Sequence, residues 1–403
     1  MKPIFNAVIS NPNHPEYGMA TIPFPIPDEQ YDNILALLDE QGTGDAVSRD
    51  CKIEEIYSGY PVLMRMCGGV ASLDELDYLA KRLDSFDAGE AAQFQAMAEK
   101  LDLHGITDLI NLTFCCQQAT VITDFSDLEA VGRDHYMNLN GGAASVDELN
   151  ALDGYETALL LIGGGAGVIT PYGVVYDNGM KLSHDYDGHH LPPYLYDPSE
   201  IVIQITPVDR PEESEMLYFP CPDSKIDRAR QRLGVEDFED CTATLEMVGS
   251  IDEKVLKLFE EDFILSEHLD TLNHLAKCYA YFDKRAKEDF NTIVDYAWPQ
   301  TPEEVLRIAE NIHDFTLVKG IQTPEEYGEY MVKDSGRHEV DFELQNYVDY
   351  ERYGQDQLEM EDGVFIEAGY LAYLGSDPEI EEIMSRTMQE EQPVFDQQMG
   401  GMA

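Results

Sequence analysis

The sequence predicts an α+β fold: an elongated chain of small α/β domains made of two diverged copies of one unit. Three observations lead there. The segment "LDELDYLAKRLDSFD" (Leu73–Asp87) returns as "LDTLNHLAKCYAYFD" (Leu269–Asp283), 196 residues later. Other separated segments return in the same order at nearly the same offset. Finally, short β-branched runs alternate with short, capped amphipathic helices, which does not suit one large sheet.

The repeat sets the frame in which all else is read. At the offset of 196, Leu76, Leu79, Phe86 and Phe94 meet Leu272, Leu275, Phe282 and Phe290. "FPIPDEQYD" (24–32) meets "FPCPDSKID" (219–227) at 195. Asp50-Cys51 meets Asp240-Cys241 once a six-residue gap is allowed. Glu129 and Gly132 meet Glu325 and Gly328, and Gly167, Val168 and Gly173 meet Gly363, Val364 and Gly369. The expected boundaries are a first unit at 1–180, a linker at 181–196, a second unit at 197–375, and a flexible acidic tail at 376–403.

Taken in order, "IFNAVIS" (4–10) and "IVIQIT" (201–206) read as opening strands. The two Pro-Asp segments that follow read as short helices. Leu73, Leu76, Leu79, Ala80 and Leu83 step along one helix face. Ser72-x-x-Glu75, Ser126-x-x-Glu129 and Ser145-x-x-Glu148 have the spacing of capping boxes. "TPEEVLRIAENIHDF" (301–315) and "TPEEYGEYM" (323–331) place Thr as cap, Pro in the first turn and two glutamates on the helix dipole. "GVFIEAGYLAYL" (363–374) reads as a terminal β pair. "TALLLIGGGAGVITPYGVVY" (157–176) carries no charge for twenty residues, but its five glycines and one proline make a poor membrane helix. It reads as a strand over 158–162, a glycine turn, and a strand over 168–176.

Charge is the dominant compositional fact. Asp and Glu number 79 against 26 Lys and Arg, a formal net charge of -53. It is spread over the chain: residues 1–196 hold 30 acids and 9 bases, and residues 197–403 hold 49 and 17. Such a chain repels nucleic acid and anionic membranes, and its natural partners are basic surfaces or cations. The seven cysteines are odd in number and contain no Cys-x-x-Cys, so neither a disulfide framework nor a zinc site is expected. With no apolar h-region near the N-terminus, a cytoplasmic protein with reduced thiols is expected.

The chemistry-bearing candidates are few. Asp185, Asp187, His189 and His190 in "DYDGHHLPPY" are conceivable metal ligands, set against a polar linker. "GGGAG" (163–167) lacks the lysine of a phosphate loop. Carboxylate pairs are too numerous to single out a hydrolytic dyad, and thiols in so acidic a chain are poor nucleophiles. Neither an enzyme nor a cofactor is expected. Solubility alone asks of a small domain only about 2–8 charges. The excess costs folding free energy through self-repulsion and points to function. At the charge density of duplex DNA, one per about 1.7 Å, 53 charges would cover roughly 90 Å. A compact globule of this length is only roughly 55 Å across.

"LQNYVDYERYGQD" (344–356), followed by "GVFIEAGYLAYL", resembles the C-terminal signature of the ArdA antirestriction family. The resemblance implies small α/β domains in series, a curved homodimer and a surface that mimics bent B-form DNA. It also implies a target: the DNA-binding groove of a Type I restriction–modification enzyme, at its methyltransferase core, so that mobile DNA is protected. The family's motif carries over onto Leu344, Tyr347, Asp349, Tyr350, Tyr353, Gly354 and Asp356. Candidate phosphate-mimicking carboxylates are Glu303, Glu304, Glu310, Asp314, Glu325, Glu326 and Glu329, with Asp124, Asp127 and Glu129 in the first copy. The first copy departs from the family where "ELNALDGYETALLLI" replaces the tyrosine-rich motif. Two copies in one chain suggest a self-contained pseudo-dimer, otherwise a homodimer. The alternative reading is an acidic module that inhibits another basic DNA-binding protein or nuclease.

Overall fold

A computed structural model describes residues 2–194, 199–248, 251, 255 and 268–390. The fold is mixed α+β, with four small antiparallel sheets among the described residues. Two compact units divide it. The first holds the described residues of Met1–Tyr196, Asp209–Met216 and Pro222–Asp237, and the second those of Asp197–Val208, Leu217–Cys221 and Phe238–Ala403.

The chain opens with strands β1 (Phe5–Ser10), β2 (Met19–Phe24), β3 (Cys51–Ser58) and β4 (Val70–Ala71), ordered β2-β1-β3-β4. Alternation places Phe5, Ala7 and Ile9 of β1 inward. Helices α1 (Asp28–Glu40), α2 (Leu73–Asp84), α3 (Ala88–Lys100) and α4 (Ile106–Leu112) contribute to the same core. Helix α2 starts where expected: Ser72 Oγ accepts from the Glu75 N–H, and the Glu75 carboxylate accepts from the Ser72 N–H. Its leucines at 73, 76, 79 and 83 are buried, each contributing about 1.5–3 kcal/mol.

A second, smaller layer follows. Strands β5 (Thr120–Ile122), β6 (Val168–Thr170) and β7 (Gly173–Tyr176) form a sheet ordered β5-β7-β6. Helices α5 (Leu128–Leu139), α6 (Val146–Ala151) and α7 (Gly154–Gly163) accompany it. Here the expected strand over 158–162 gives way to a helix. Asp153 accepts from the Glu156 N–H as N-cap, and Ala158, Leu161 and Ile162 then turn one helical stripe onto the sheet. A run of Leu and Ile fits either structure, and the cap decides it. The expected box at Ser126 also shifts by one residue. Asp127 caps α5, Ser126 bonds Asp124, and the Glu129 carboxylate accepts from the Tyr155 N–H.

The segment expected as a linker packs on the first core. Tyr186 is buried, its hydroxyl donates to Glu75 at 2.8 Å, and its backbone exchanges two hydrogen bonds with the Asn111 side chain. Arg82 is held between the rings of Phe114 and Tyr194, 4.3 and 4.4 Å from their centroids. Apolar residues at 180, 182, 186, 191 and 194 supply this packing, which no sequence period announces.

Strands β8 (Ile201–Pro207), β9 (Glu215–Phe219) and β10 (Cys241–Val248) are ordered β10-β8-β9, with α8 (Asp223–Leu233) after β9. Helix α8 belongs to the first unit. Helices α9 (Leu269–Tyr281), α10 (Lys284–Ala297) and α11 (Pro302–Glu310) lead to strands β11 (Phe315–Lys319), β12 (Val364–Ile366) and β13 (Gly369–Tyr373), ordered β11-β13-β12. Helices α12 (Pro324–Lys333), α13 (Phe342–Gln345) and α14 (Tyr350–Glu361) accompany this sheet. The expected flexible tail begins instead as α15 (Pro378–Glu390), which buries Ile380, Ile383 and Met384. Residues 391–403 of that tail lie outside the described residues.

The spacing of 196 recurs in the pairing. Thr120 pairs with Tyr176 and Ile122 with Val174; Thr316 pairs with Ala372 and Val318 with Tyr370. Ile169 pairs with Val174, and Phe365 with Tyr370. The tie between a helix and the second residue after a strand also recurs. Asp77 accepts from the Ile26 N–H at 2.7 Å, and Asn273 accepts from the Cys221 N–H at 2.9 Å. The large side chain moves along its strand: Tyr370 and Ala372 stand where Val174 and Tyr176 stand.

Candidate partner-binding surface

The seven motif residues lie on α13, the turn after it, and α14. Leu344 and Tyr347 are exposed, Tyr347 at 87%. Asp349 is the N-cap of α14 and accepts from the Arg352 N–H at 3.2 Å. Tyr350 donates its hydroxyl to the Gln345 carbonyl at 2.6 Å and lies under the Lys333 ammonium, 5.1 Å from the ring centroid. Tyr353 is half-buried and its hydroxyl bonds His338 Nε2 at 2.6 Å. Asp356 points to solvent and makes no ion pair among the described residues.

Gly354 explains how α12 and α14 cross so closely. A Cβ there would stand 1.7 Å from the Pro324 carbonyl oxygen, and one at Gly328 would stand 2.0 Å from that of Tyr350. Only glycine lets two backbones meet at this distance. The crossing is locked beneath by a buried tyrosine pair. Tyr327 and Tyr370 stack at 3.8 Å, and both donate to Glu361, at 2.6 and 2.8 Å. Arg337 holds the other oxygen of Glu361 at 2.9 Å. Burial first, then the hydrogen bonds to Glu361, raise both phenols well above the ordinary tyrosine range.

The acidic candidates divide by task. Glu325, Glu326 and Glu329 are exposed on α12. Glu326 also closes the cap with Thr323, and the N–H of Gln322 and its other cap bonds hold its carboxyl below the usual range. Glu329 pairs with Lys333. Glu303 meets His268 at 3.0 Å, and Glu304 meets Arg386 at 2.7 Å. Glu310 and Asp314 are exposed and make no ion pair among the described residues. In the first half all three candidates have local partners. Asp124 holds the Ser126 turn, Asp127 caps α5, and Glu129 bonds Tyr155 and Arg133. The structure brings Asp349, Tyr350, Tyr353, Gly354 and Asp356 and the α12 glutamates together on one crossed helix pair, with Leu344 and Tyr347 before it; Asp124, Asp127 and Glu129 belong to the other unit.

Three bases in the second half are neutralised in place. Lys319 bridges Glu288 and Asp289 at 3.0 and 3.1 Å, Arg307 bridges Asp377 and Glu379, and Arg337 holds Glu361. They therefore interrupt the negative surface little. From Thr316 to Ala372 there are 14 acids and 4 bases; over the equivalent 120–176 there are 8 and 1.

The four conceivable metal ligands serve a turn instead. Asp187 accepts from the His189 and His190 N–H groups and from His190 Nδ1. Against the opposing effect of burial, these bonds bring its carboxyl down to about 2. Among the described residues no group of three or more His, Cys, Asp or Glu stands as a metal set, and no helix is long and apolar enough to cross a membrane. Burial raises the thiols of Cys51, Cys115, Cys116 and Cys278, Cys51 to about 12.

Sequence reasoning missed one cluster. In the first unit Asp74 accepts from Arg228 at 2.7 Å and Arg232 at 2.9 Å, while Arg232 also holds Glu215 at 2.8 Å. Burial pushes the Asp74 carboxyl up, but Arg232 and Arg228 outweigh it and leave it lowered. The only signal was three arginines crowded into 228–232 of an otherwise base-poor chain.

A strongly acidic α+β chain that presents carboxylates from a crossed helix pair belongs to the class of proteins suited to basic partners. Residues 224–372 match the family model of the antirestriction protein ArdA, and this part of the chain carries a domain of that family. No curated protein matches the chain.

Proposed function

We propose that the chain is an antirestriction protein that occupies the DNA-binding groove of a Type I restriction–modification enzyme at its methyltransferase core. Its carboxylates stand where phosphates would, and Lys and Arg of the target pair with them. No catalysis is involved: inhibition is competition, and it protects incoming mobile DNA. The observation that carries this reading is the family domain at 224–372, which contains the whole α12–α14 carboxylate surface. The ion pairs that hold Lys319, Lys333 and Arg337 support it further.

We also infer that the chain is a tandem duplication, with units near 1–180 and 197–375. The support is the strand pairing at a constant spacing of 196 and the matching Asp77 and Asn273 ties. Restriction of unmodified DNA, compared in cells with and without this protein, tests the function. Loss of restriction is expected. Undiminished restriction at stoichiometric expression would overturn the reading for that enzyme class.

A further inference from the structure

Two corresponding helices, α3 and α10, meet the strand that follows them in different ways. In the first half Gln93 is buried, and its Nε2 donates to the Ala119 carbonyl at 2.7 Å and to the Gln117 carbonyl at 3.4 Å. Glu90, three residues earlier, closes the cap with Asp87 and accepts from Gln117 Nε2 at 3.4 Å. At the spacing of 196, α10 carries Asp289 and Ala286 in these two places. The backbone frame is kept. Asp283 caps α10 as Asp87 caps α3, and the Phe315 N–H bonds the Ile312 carbonyl as the Ala119 N–H bonds that of Cys116. What has changed is that both filling side chains are shorter.

A cleft of about 240 Å³ lies between α10 and β11. Ile293, Ile312, Phe315 and Leu317 line it with apolar surface, and Asp283 and Asp289 with carboxylates; Arg285 and His313 are exposed at its rim. Its acceptors lack the donor that Gln93 supplies in the first half. Asp289 Oδ1 is buried and makes no hydrogen bond, although Lys319 Nζ lies 3.1 Å from it. The other oxygen meets Arg285 Nε at 3.4 Å, a long contact. The Leu374 N–H donates to the Asp314 carbonyl, so Phe315, one residue on, turns its carbonyl away from β13. That is the side on which Gln93 meets Ala119 in the first half. A carboxylate has no proton to donate there, so Asp289 cannot replace the amide.

We propose that the α10–β11 cleft is a binding site for an alkylammonium or alkylguanidinium group. The N–H donors of the ligand take the place of the Gln93 amide, between the Phe315 carbonyl and the Asp289 carboxylate, and its stem lies along the apolar wall. The carboxylate favours a cation over a neutral amide, because a charge-assisted hydrogen bond is the stronger one. The cleft is smaller than the pockets of about 300–1,000 Å³ that hold drug-sized ligands, and so suits a group of side-chain size. Such a group ends a lysine or arginine side chain of a basic partner, or is a small free amine; the chemistry is the same. Only the first of these sources rests on the antirestriction reading.

Calorimetric titration of the full chain with agmatine, an alkylguanidinium, tests the site. Saturable binding of one agmatine per chain is expected. Asp289→Gln restores the first-half amide and should abolish that binding without lowering the thermal midpoint. Ala286→Glu should weaken it roughly tenfold by filling the cleft, although it adds a negative charge. Adsorption of a cation to the acidic surface at large would be strengthened by that change instead. Asp270→Asn, which removes an exposed charge elsewhere, should leave binding unaltered. The source is read from displacement of duplex from a Type I methyltransferase core: Asp289→Gln weakens it where a target side chain fills the cleft, and leaves it unchanged where a free amine does. Because the titration needs no target, failure of the site and failure of the antirestriction reading are told apart. No saturable binding by the unaltered chain overturns the proposal. So does undiminished binding by Asp289→Gln, or tighter binding by Ala286→Glu.

Discussion

Two helices with one frame, α7 and α14, have opposite surfaces. Each starts on an aspartate cap, and each crosses its neighbour at a glycine that admits no Cβ. Below the crossing they differ. Under α14, Glu361 ties two tyrosines and an arginine, whereas Gly165, at the equivalent position, is exposed in the turn after α7 and has no side chain to do so. The lesson is that backbone contacts tolerate little change while the outward face is free to diverge. Function should therefore be sought in what the two halves do not share.

The largest expected contrast lies at the first turn of α2. Asp74 binds two arginines, while Asp270, its counterpart, is exposed. Removing Asp74 takes the carboxylate from Arg228 and leaves Arg232 only Glu215, and breaking a buried ion pair in this way costs about 3–5 kcal/mol. Asp74→Ala should lower the stability of the first unit to urea by that amount, and Asp270→Ala should change the second by no more than about 0.5 kcal/mol. The pH dependence follows from the lowered Asp74 carboxyl. Its stabilisation is full above the ordinary carboxylate value of about 4 and is lost as pH falls through the lowered one. Asp74→Asn should flatten the acid limb of the stability profile; an unchanged limb would mean the cluster contributes little.

Next in size are the crossings. Gly132→Ala and Gly354→Ala must each push two helices apart, an overpacking cost of about 1–3 kcal/mol. The thermal midpoints should fall in both cases, but only Gly354→Ala should impair inhibition. Equal loss of inhibition from both would put the first half in the inhibitory surface.

Smaller effects are expected from carboxylates. Neutralising Glu325, Glu326 and Glu329 together should weaken inhibition by roughly tenfold, whereas single changes are hardly felt because exposed pairs contribute little. Neutralising Asp124, Asp127 and Glu129 together should act on helix capping more than on inhibition. The smallest signal is chemical. Cys67 is exposed, while burial raises Cys51, Cys115, Cys116 and Cys278, so Cys67 should react first with an alkylating reagent at neutral pH.

Much of this fold is legible in the sequence because it is local. The cap at Ser72, the leucine stripe of α2, the Thr-Pro starts of α11 and α12 and the final strand pair are written within a few residues. The spacing of 196 in the sequence recurs in the strand pairing of two of the sheets. Helix α7 is the exception. The unbroken apolar run from Ala158 to Ile162 suits a strand as well as a helix, and Asp153-x-x-Glu156 is the start signal that separates them. The packed 177–194 segment and the Asp74 cluster depend on residues far apart in sequence, such as Tyr186 with Glu75 and Arg232 with Asp74. No period or spacing encodes such contacts. The motif residues are legible by resemblance, but the reason for Gly354 appears only where α12 meets α14.

The proposed inhibition requires the second-half surface to take the place of DNA. Displacement of fluorescent duplex from a Type I methyltransferase core tests it most directly. Complete, stoichiometric displacement that weakens as salt rises is expected, with no species containing enzyme, DNA and this protein together. A stable ternary complex, or inhibition far below stoichiometry, would contradict it.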